Sequence, residues 1–290
     1  MSTKTSTGAF LQQPSNAANL LNGALATCSF ELRRSFTFQR TAVSLVLSAF
    51  PPVMLGLLIL GMEMSGGANQ ARTIIQESVT LLTTLLVSLV CLLSLLLWAT
   101  PNVYSELEGK SWSFVASRPG GRISIFLGKF LASFVVSFTL SMIAITMCVT
   151  LAATRLHIVD PQILWFSLAG VFLLGCAVYA AVFSLIGTFF IKRAMVVAAG
   201  YFIGSDIVIA SIPNALINKL TIRYHLQEIG IVWLGWFFPG GYSEEQHRRL
   251  FGDALPIWAH VGAVALITVL ALAVGIWIIV NREYITNDQA

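Results

Sequence analysis

Long apolar runs constrain the fold of this chain more than any other feature of its sequence. A helix needs about 20 consecutive apolar residues to cross roughly 30 Å of hydrocarbon. Because lipid offers no partner to an unpaired N–H or C=O group, such runs are predicted to be helical. The sequence contains six of them, and the predicted spans are 41–61, 79–99, 123–151, 163–191, 194–212 and 257–280.

The composition excludes most soluble classes of protein. Hydrophobic residues make up 57% of the 290 residues and charged residues only 10%, whereas an ordinary soluble domain carries about 25% charged residues. A soluble enzyme or a disordered chain needs more polar surface than this. The net charge of +4 fits basic cytoplasmic flanks, so no nucleic-acid partner is expected. We predict an all-α, polytopic membrane protein.

The polar N-terminus is predicted to lie outside the folded part of the chain. Residues 1–18 are rich in Ser, Thr, Gln and Asn and contain no apolar stretch typical of a signal peptide. We predict a flexible tail there and one six-span domain over residues 19–290. The four cysteines, which include no Cys-x-x-Cys pair, are interpreted as small buried residues.

Basic residues predict the orientation of the spans. With the N-terminus in the cytoplasm, the inner segments hold 11 Lys and Arg residues and the outer segments hold six, which is the bias typical of membrane proteins. We therefore predict that both termini lie inside. The inner set is Lys4, Arg33, Arg34, Arg40, Lys110, Arg118, Arg122, Lys129, Lys192, Arg193 and Arg282.

Two segments outside the spans have a predicted structure of their own. Residues 19–38 carry apolar side chains every three or four positions, which predicts an amphipathic helix in the cytoplasmic interface or a helical lead-in to the first span. The outer loop, residues 213–256, is predicted to contain a helix at 215–226, an interfacial or re-entrant segment at 231–238 and a short polar helix at 243–250. The apolar positions of the first helix are Leu21, Leu25, Cys28, Leu32 and Phe36.

The inner loop between the second and third predicted spans, residues 101–122, is the most informative segment. It places Glu106 and Glu108 beside Trp112 and Phe114. This pattern predicts a short amphipathic helix along the inner surface, and both a protein partner and a lipid-lying connector remain open. A turn is predicted at its end, because proline disfavours helix at the preceding residue and the two glycines that follow free the backbone.

The order of residues in this loop resembles the permeases of type-2 ABC exporters. The chain reads Glu-x-Glu-Gly at 106–109, Ser-Arg-Pro-x-x-Arg at 117–122 and Gly-Lys at 128–129. It is most similar to the branch that contains the permease of the copper-maturation system for nitrous oxide reductase. It departs from the family in Lys110-Ser111-Trp112, where the family often has Thr, and in Gly120-Gly121, where the family has Val-Ser. Tyr224-His225 resembles the outer loop of that branch more weakly.

The resemblance implies that the inner loop is a coupling helix that sits in a groove of an ATP-hydrolysing subunit. In that role, Glu106 and Glu108 would meet basic or polar groups of the partner. Trp112 and Phe114 would fill its apolar groove. Arg118 and Arg122 would hold the hinge through contacts to lipid phosphate or to the partner. Lys192-Arg193 would form a second, smaller inner contact or bind lipid phosphate.

The same resemblance implies an assembly and a location. Two permease copies would pair on two ATP-binding cassette subunits in the bacterial cytoplasmic (inner) membrane. ATP and magnesium would bind to that partner, and no cofactor is expected in this chain. The outer loop is a candidate contact for a periplasmic partner, and the branch is linked to multi-copper enzyme maturation.

The chain itself is not predicted to be an enzyme or to bind a metal. Gly109-Lys110-Ser111 is not a phosphate-binding loop, because the first glycine of that motif would fall at Tyr104. The four histidines show no His-x-x-x-His pair. No catalytic set of residues is apparent, so an ATP-driven function would need an ATPase on another chain.

Asp206 is the clearest ionisable residue within a predicted span, where a charge is costly. It is interpreted either as an acid that faces a pathway or a dimer interface, or as an acid near the outer interface because the span ends early. Two rival functions also remain: a stand-alone secondary transporter or channel, and a membrane-embedded scaffold without transport.

Overall fold

The computed structural model describes residues 16–35, 37–64, 72–101, 106, 120–156, 160–191, 193–209, 218–235 and 256–282. These residues are almost entirely helical, and no strand occurs among them, which confirms the all-α prediction for this part of the chain. The α-helices are α1 (Asn16–Ser35), α2 (Phe38–Met64), α3 (Arg72–Trp98), α4 (Gly121–Leu156), α5 (Pro161–Phe189), α6 (Ala194–Phe202), α7 (Ile222–Gly235) and α8 (Ile257–Asn281).

Four of these helices contain a segment that is long and apolar enough to cross a membrane. They coincide with the first, third, fourth and sixth predicted spans, so the chain is a multi-pass membrane protein. The second and fifth predicted spans coincide with shorter apolar stretches, Thr83–Trp98 and Ala194–Asp206, so the count of six and the orientation stay predictions. The four segments are Thr41–Gly61, Gly121–Arg155, Pro161–Phe189 and Ile257–Asn281.

Two exposed tryptophans mark the ends of the apolar stretch of α8. Trp258 is 73% exposed and Trp277 is 66% exposed, and they lie 19 positions apart, which is about 28 Å along a helix that rises about 1.5 Å per residue. Tryptophan is enriched at membrane–water interfaces, and the hydrocarbon layer is about 30 Å thick. This spacing fits a helix that crosses the bilayer with a tryptophan at each headgroup layer.

The centre of the fold is formed by α4 and α5, which pack on each other and on most of the other helices. Side-chain packing rather than the hydrophobic effect holds helices together in lipid, so small residues at crossings matter. A Cβ atom at Gly187 of α5 would lie 2.3 Å from the carbonyl oxygen of Thr100, which follows α3. Only glycine allows this approach. The four cysteines are buried and free, as predicted: Cys28, Cys91, Cys148 and Cys176.

The N-terminal helix α1 packs on the first part of α4. Ala24 and Cys28 are buried in this contact, and a Cβ atom at Gly128 would lie 2.6 Å from the carbonyl oxygen of Ala24. Leu21 and Leu25, in contrast, are 62% and 59% exposed. The predicted helix is therefore present, but its apolar stripe is divided between α4 and the exposed side. A position in the membrane interface stays a prediction.

The outer segment differs from its prediction. Residues 218–220 form a short 3-10 turn, and α7 begins only at Ile222. Residues 231–235 are not a separate segment, because they continue α7, while an interfacial or re-entrant position for residues 231–238 stays a prediction. This part of α7 packs on α5, since a Cβ atom at Gly170 would lie 2.5 Å from the Trp233 ring. The predicted helix at 243–250 lies outside the described residues.

Candidate functional site

Two groups of buried polar residues stand out in the described part of the chain, and the first involves the inner loop. Of the six residues predicted to contact an ATPase, the structure describes Glu106 and Arg122. Glu106 Oε1 lies 2.7 Å from Lys129 Nζ, and Glu31 Oε1 lies 3.3 Å from the same nitrogen. The other four residues, Glu108, Trp112, Phe114 and Arg118, lie outside the described residues.

Lys129, Glu31 and Glu106 form a buried group that we call the ion triad. The Lys129 side chain is 4% exposed, and the two carboxylates are 12% and 13% exposed. Arg34 adds a longer contact of 3.9 Å to Glu31, so two basic and two acidic side chains meet. A buried charge is tolerated when it is paired. The triad therefore joins three segments: α1, the inner loop and α4.

Arg122, the predicted hinge residue, contacts its own chain. Its Nη1 donates a hydrogen bond to the carbonyl oxygen of Val280 at 3.1 Å, near the end of α8. The last carbonyl groups of a helix lack partners within the helix, and basic side chains bind them favourably. Gly120 precedes it with a φ of 72°, a left-handed conformation that glycine adopts at no steric cost. The left-handed conformation of Gly120 confirms a turn within residues 117–122.

The second inner contact predicted from sequence is only partly described. Arg193 is exposed in the short turn between α5 and α6, and Lys192 lies outside the described residues. On the same side, Arg282 donates a hydrogen bond to the carbonyl oxygen of Phe189 at 2.8 Å. The end of α5 is therefore bound to the end of α8 through Arg282, a contact that charge counting did not predict.

Asp206 is completely buried and hydrogen-bonded within its own chain. It lies in the π-helical turn Ile203–Val208 that extends α6, a type of turn that is common at functional sites. Tyr179 Oη donates to Asp206 Oδ2 at 2.5 Å, and Ser205 Oγ donates to Oδ1 at 3.2 Å. Arg223 Nη1 donates to the Asp206 backbone carbonyl at 2.5 Å. We call this group the Asp206 site.

A pair of buried histidines joins α7 to α8. The Nδ1 atoms of His225 and His260 lie 3.0 Å apart, and the two residues are 8% and 2% exposed. Tyr224 lies against both rings, with centroid distances of 5.4 and 5.7 Å. Burial lowers the pKa of His225. Burial and the nearby Glu228 carboxylate raise the pKa of Tyr224.

The histidine pair holds a limited number of protons. In an Nδ1–H···Nδ1 hydrogen bond one ring donates and the other accepts, so at least one Nδ1 carries no proton. Full protonation of both rings would place two N–H groups opposite each other at 3.0 Å. A His-x-x-x-His pattern does not detect this pair, because His225 lies on α7 and His260 on α8. Among the described residues, no group of three or more His, Cys, Asp or Glu side chains could hold a metal ion.

We expect acid to destabilise the contact between α7 and α8. The pKa of His225 is lowered in the folded protein, so the unfolded chain binds the proton more readily. The neutral His225 side chain therefore contributes to stability above about pH 6.5, the ordinary histidine pKa. This contribution is lost as the pH falls through the lower pKa of the folded protein. Thermal unfolding in detergent micelles at pH 7.5 and pH 5 measures this loss of stability. A His225→Gln variant should lose less stability on acidification, and an equal loss would contradict the assignment.

Comparison with known proteins does not place the chain in a family. No protein-family model matches it, and no curated protein matches it with significant sequence similarity. The fold and its buried polar groups define a class, a multi-pass, all-helical membrane protein. The more specific assignment depends on the loop motif and on the contacts described above.

Proposed function

We propose that this chain is the transmembrane permease subunit of an ABC-type transporter and that a separate ATPase subunit drives it. The observation that carries the proposal is the 2.7 Å ion pair between Glu106 and Lys129. The inner loop has the acidic and aromatic sequence of a coupling helix. Through this ion pair, a movement of the loop would be passed directly to α4, a membrane-spanning helix.

α4 is well suited to transmit such a force. It has 36 residues, or about 54 Å at about 1.5 Å per residue, and it packs on α1, α2, α3, α5 and α8. A packed helix moves as a rigid element, because close-packed interiors shift between discrete arrangements rather than deform continuously. Closure of the ATPase subunits would displace the loop, α4 would follow, and the helices around α4 would reorient.

Within this proposal, the residues of the loop divide into two roles. Glu106 and Arg122 anchor the loop and the start of α4 to their own chain. Glu108, Trp112 and Phe114 are then the residues left to contact the ATPase, with Arg118 at the hinge. A second copy of the chain, the ATP-binding cassette partner and a bacterial inner membrane belong to the same proposal, as does the likeness to the copper-maturation branch.

Capture of the ATPase tests the proposal. The tagged full chain, in mild detergent, should bring down an ATP-binding cassette ATPase subunit from its native membranes. We expect Glu108→Lys and Trp112→Ala each to reduce capture at least tenfold, because they reverse a charge or remove an aromatic anchor at the contact. The ATP-dependent activity of the complex should fall in step with capture of the ATPase.

A matched control separates a contact from a general charge effect. Glu63 lies at the opposite, predicted outer end of the first span, so Glu63→Lys should leave capture unchanged. The proposal fails if the native chain captures no ATPase. It also fails if Glu108→Lys leaves both capture and ATP-dependent activity at the native level.

The Asp206 site and the histidine pair favour a second candidate, a stand-alone secondary transporter or channel. Buried ionisable residues in membrane proteins mark ion and substrate pathways, and Asp206, Glu228 and the two histidines are all buried. Vesicles that contain only this chain would then show ion-coupled flux without ATP, and Asp206→Asn would abolish that flux. Such flux would exclude the first proposal, and its absence would exclude the second.

A further inference from the structure

We propose that Lys129 is a positioning residue that holds α1 and the inner loop to α4, so that α1 is a working part of the coupling apparatus rather than a membrane anchor alone. The inference deepens the proposed function and rests on it for the meaning of the movement. The contacts that support it do not depend on what drives the loop.

The first argument is that one side chain serves two segments. Lys129 contacts Glu106 of the inner loop at 2.7 Å and Glu31 of α1 at 3.3 Å, although these acids lie 75 positions apart in the sequence. A lysine ammonium group is a compact charge with three donors, so it binds carboxylates that approach from different directions. An aliphatic side chain at this position of α4 would hold neither acid.

The second argument is the position of the charge. Lys129 lies near the start of α4, in a segment long and apolar enough to span a membrane, and its side chain is 4% exposed. A charge that is buried in this way is costly unless it is paired, and Lys129 is paired with two acids. A well-packed apolar side chain is often at least as stabilising as a buried ion pair, so the ion triad specifies an arrangement rather than adding stability.

The third argument is that α1 follows α4 along its length. Ser124 Oγ donates to the carbonyl oxygen of Leu20 at 3.3 Å, near the start of the contact. Gly128 meets Ala24 and Thr27 in its middle, and Lys129 binds Glu31 towards its end. Because the two helices touch from Leu20 to Glu31, a displacement of α4 carries α1 with it.

Hydrogen exchange on the purified full chain in lipid nanodiscs tests the inference. In Lys129→Met we expect the amides of residues 24–31 and of Glu106 to exchange at least tenfold faster, because both acids lose their ion pair with Lys129 at once. Amides of α8 from Val264 to Leu272 should stay at the native rate. The matched control is Ser133→Ala, one turn further along α4, since the Ser133 hydroxyl bonds only to carbonyl groups of its own helix.

Two milder variants keep the test decisive if Lys129→Met does not fold. Glu31→Gln should accelerate exchange in α1 only, and Glu106→Gln should accelerate exchange at Glu106 only, because Lys129 keeps its other partner in each case. The inference is overturned if Lys129→Met affects one segment and not the other, or behaves like Ser133→Ala. It is also overturned if both glutamine variants exchange at native rates.

The outcome is separable from that of the proposed function. Exchange reports the ion triad whether or not an ATPase is present, and capture of the ATPase reports the partner. If capture fails while exchange behaves as expected, Lys129 still positions α1 and the loop, and only the driving partner is lost. If exchange fails while capture succeeds, the permease proposal stands and α1 has no part in coupling.

Discussion

Replacing Gly187 by valine is expected to lower the free energy of unfolding by about 2–3 kcal/mol, at the upper end of the usual overpacking range. A Cβ atom there would lie 2.3 Å from the Thr100 carbonyl oxygen and 3.2 Å from its carbonyl carbon. Both atoms belong to the backbone, so no side-chain rotation relieves the clash. The end of α3 must move away from α5. Unfolding in mixed detergent micelles with increasing SDS measures the change.

The matched control is Gly262→Val in α8. A Cβ atom at Gly262 meets nothing within 4 Å, and this position has the same change of helix propensity as Gly187. We expect the control to stay within about 0.5 kcal/mol of the native protein, as exposed substitutions usually do. Equal losses in the two variants would mean that the Thr100 contact does not limit the packing of α3 on α5.

Removing the carboxylate of Asp206 is expected to destabilise the fold by about 1–3 kcal/mol, the cost of leaving a buried polar group without its partner. In Asp206→Val, the Tyr179 hydroxyl loses the acceptor that it contacts at 2.5 Å. Tyr179→Phe should cost a similar amount, because the carboxylate then loses a donor. The double variant should cost less than the sum of the two single variants, since no polar group of the pair remains unpaired. The same SDS titration gives all three values.

A control for this cycle lies on the exposed face of α4. The Thr139 hydroxyl donates only to the carbonyl oxygen of Val135 in its own helix, so Thr139→Val should be nearly neutral. Additive costs for Asp206→Val and Tyr179→Phe would show that the two side chains are not coupled. If Asp206→Asn removes transport without loss of stability, the acid serves a pathway as well as the fold.

Four membrane-crossing segments and the N-terminal helix were predictable because each depends on a local pattern. The length of an apolar run decides whether a helix spans, and its spacing decides whether a helix is amphipathic. The turn at Gly120 was predictable for the same reason, since proline and glycine restrict or free the backbone at their own positions. Such signals need no knowledge of the rest of the fold.

The buried polar contacts were not predictable, because they depend on which helices meet. Lys129 was counted as one more inner positive charge, and nothing local indicates that it binds acids 23 and 98 positions away. His225 and His260 lie on separate helices, so a search for metal-binding spacing on one helix passes over them. The division of the α1 apolar stripe between α4 and the exposed side could not be predicted for the same reason. Periodicity shows which positions share a face of a helix, but packing decides which neighbour each position contacts.

The tryptophan spacing of α8 has a consequence for the histidine pair. His260 follows Trp258 by two positions, about 3 Å along the helix axis at about 1.5 Å per residue, so the two imidazoles lie near one membrane surface. Protons from the aqueous phase on that side have a short distance to travel, whereas protons from the opposite compartment face the full width of the hydrocarbon. The acid destabilisation expected for the contact between α7 and α8 should therefore follow the pH on that side of the membrane.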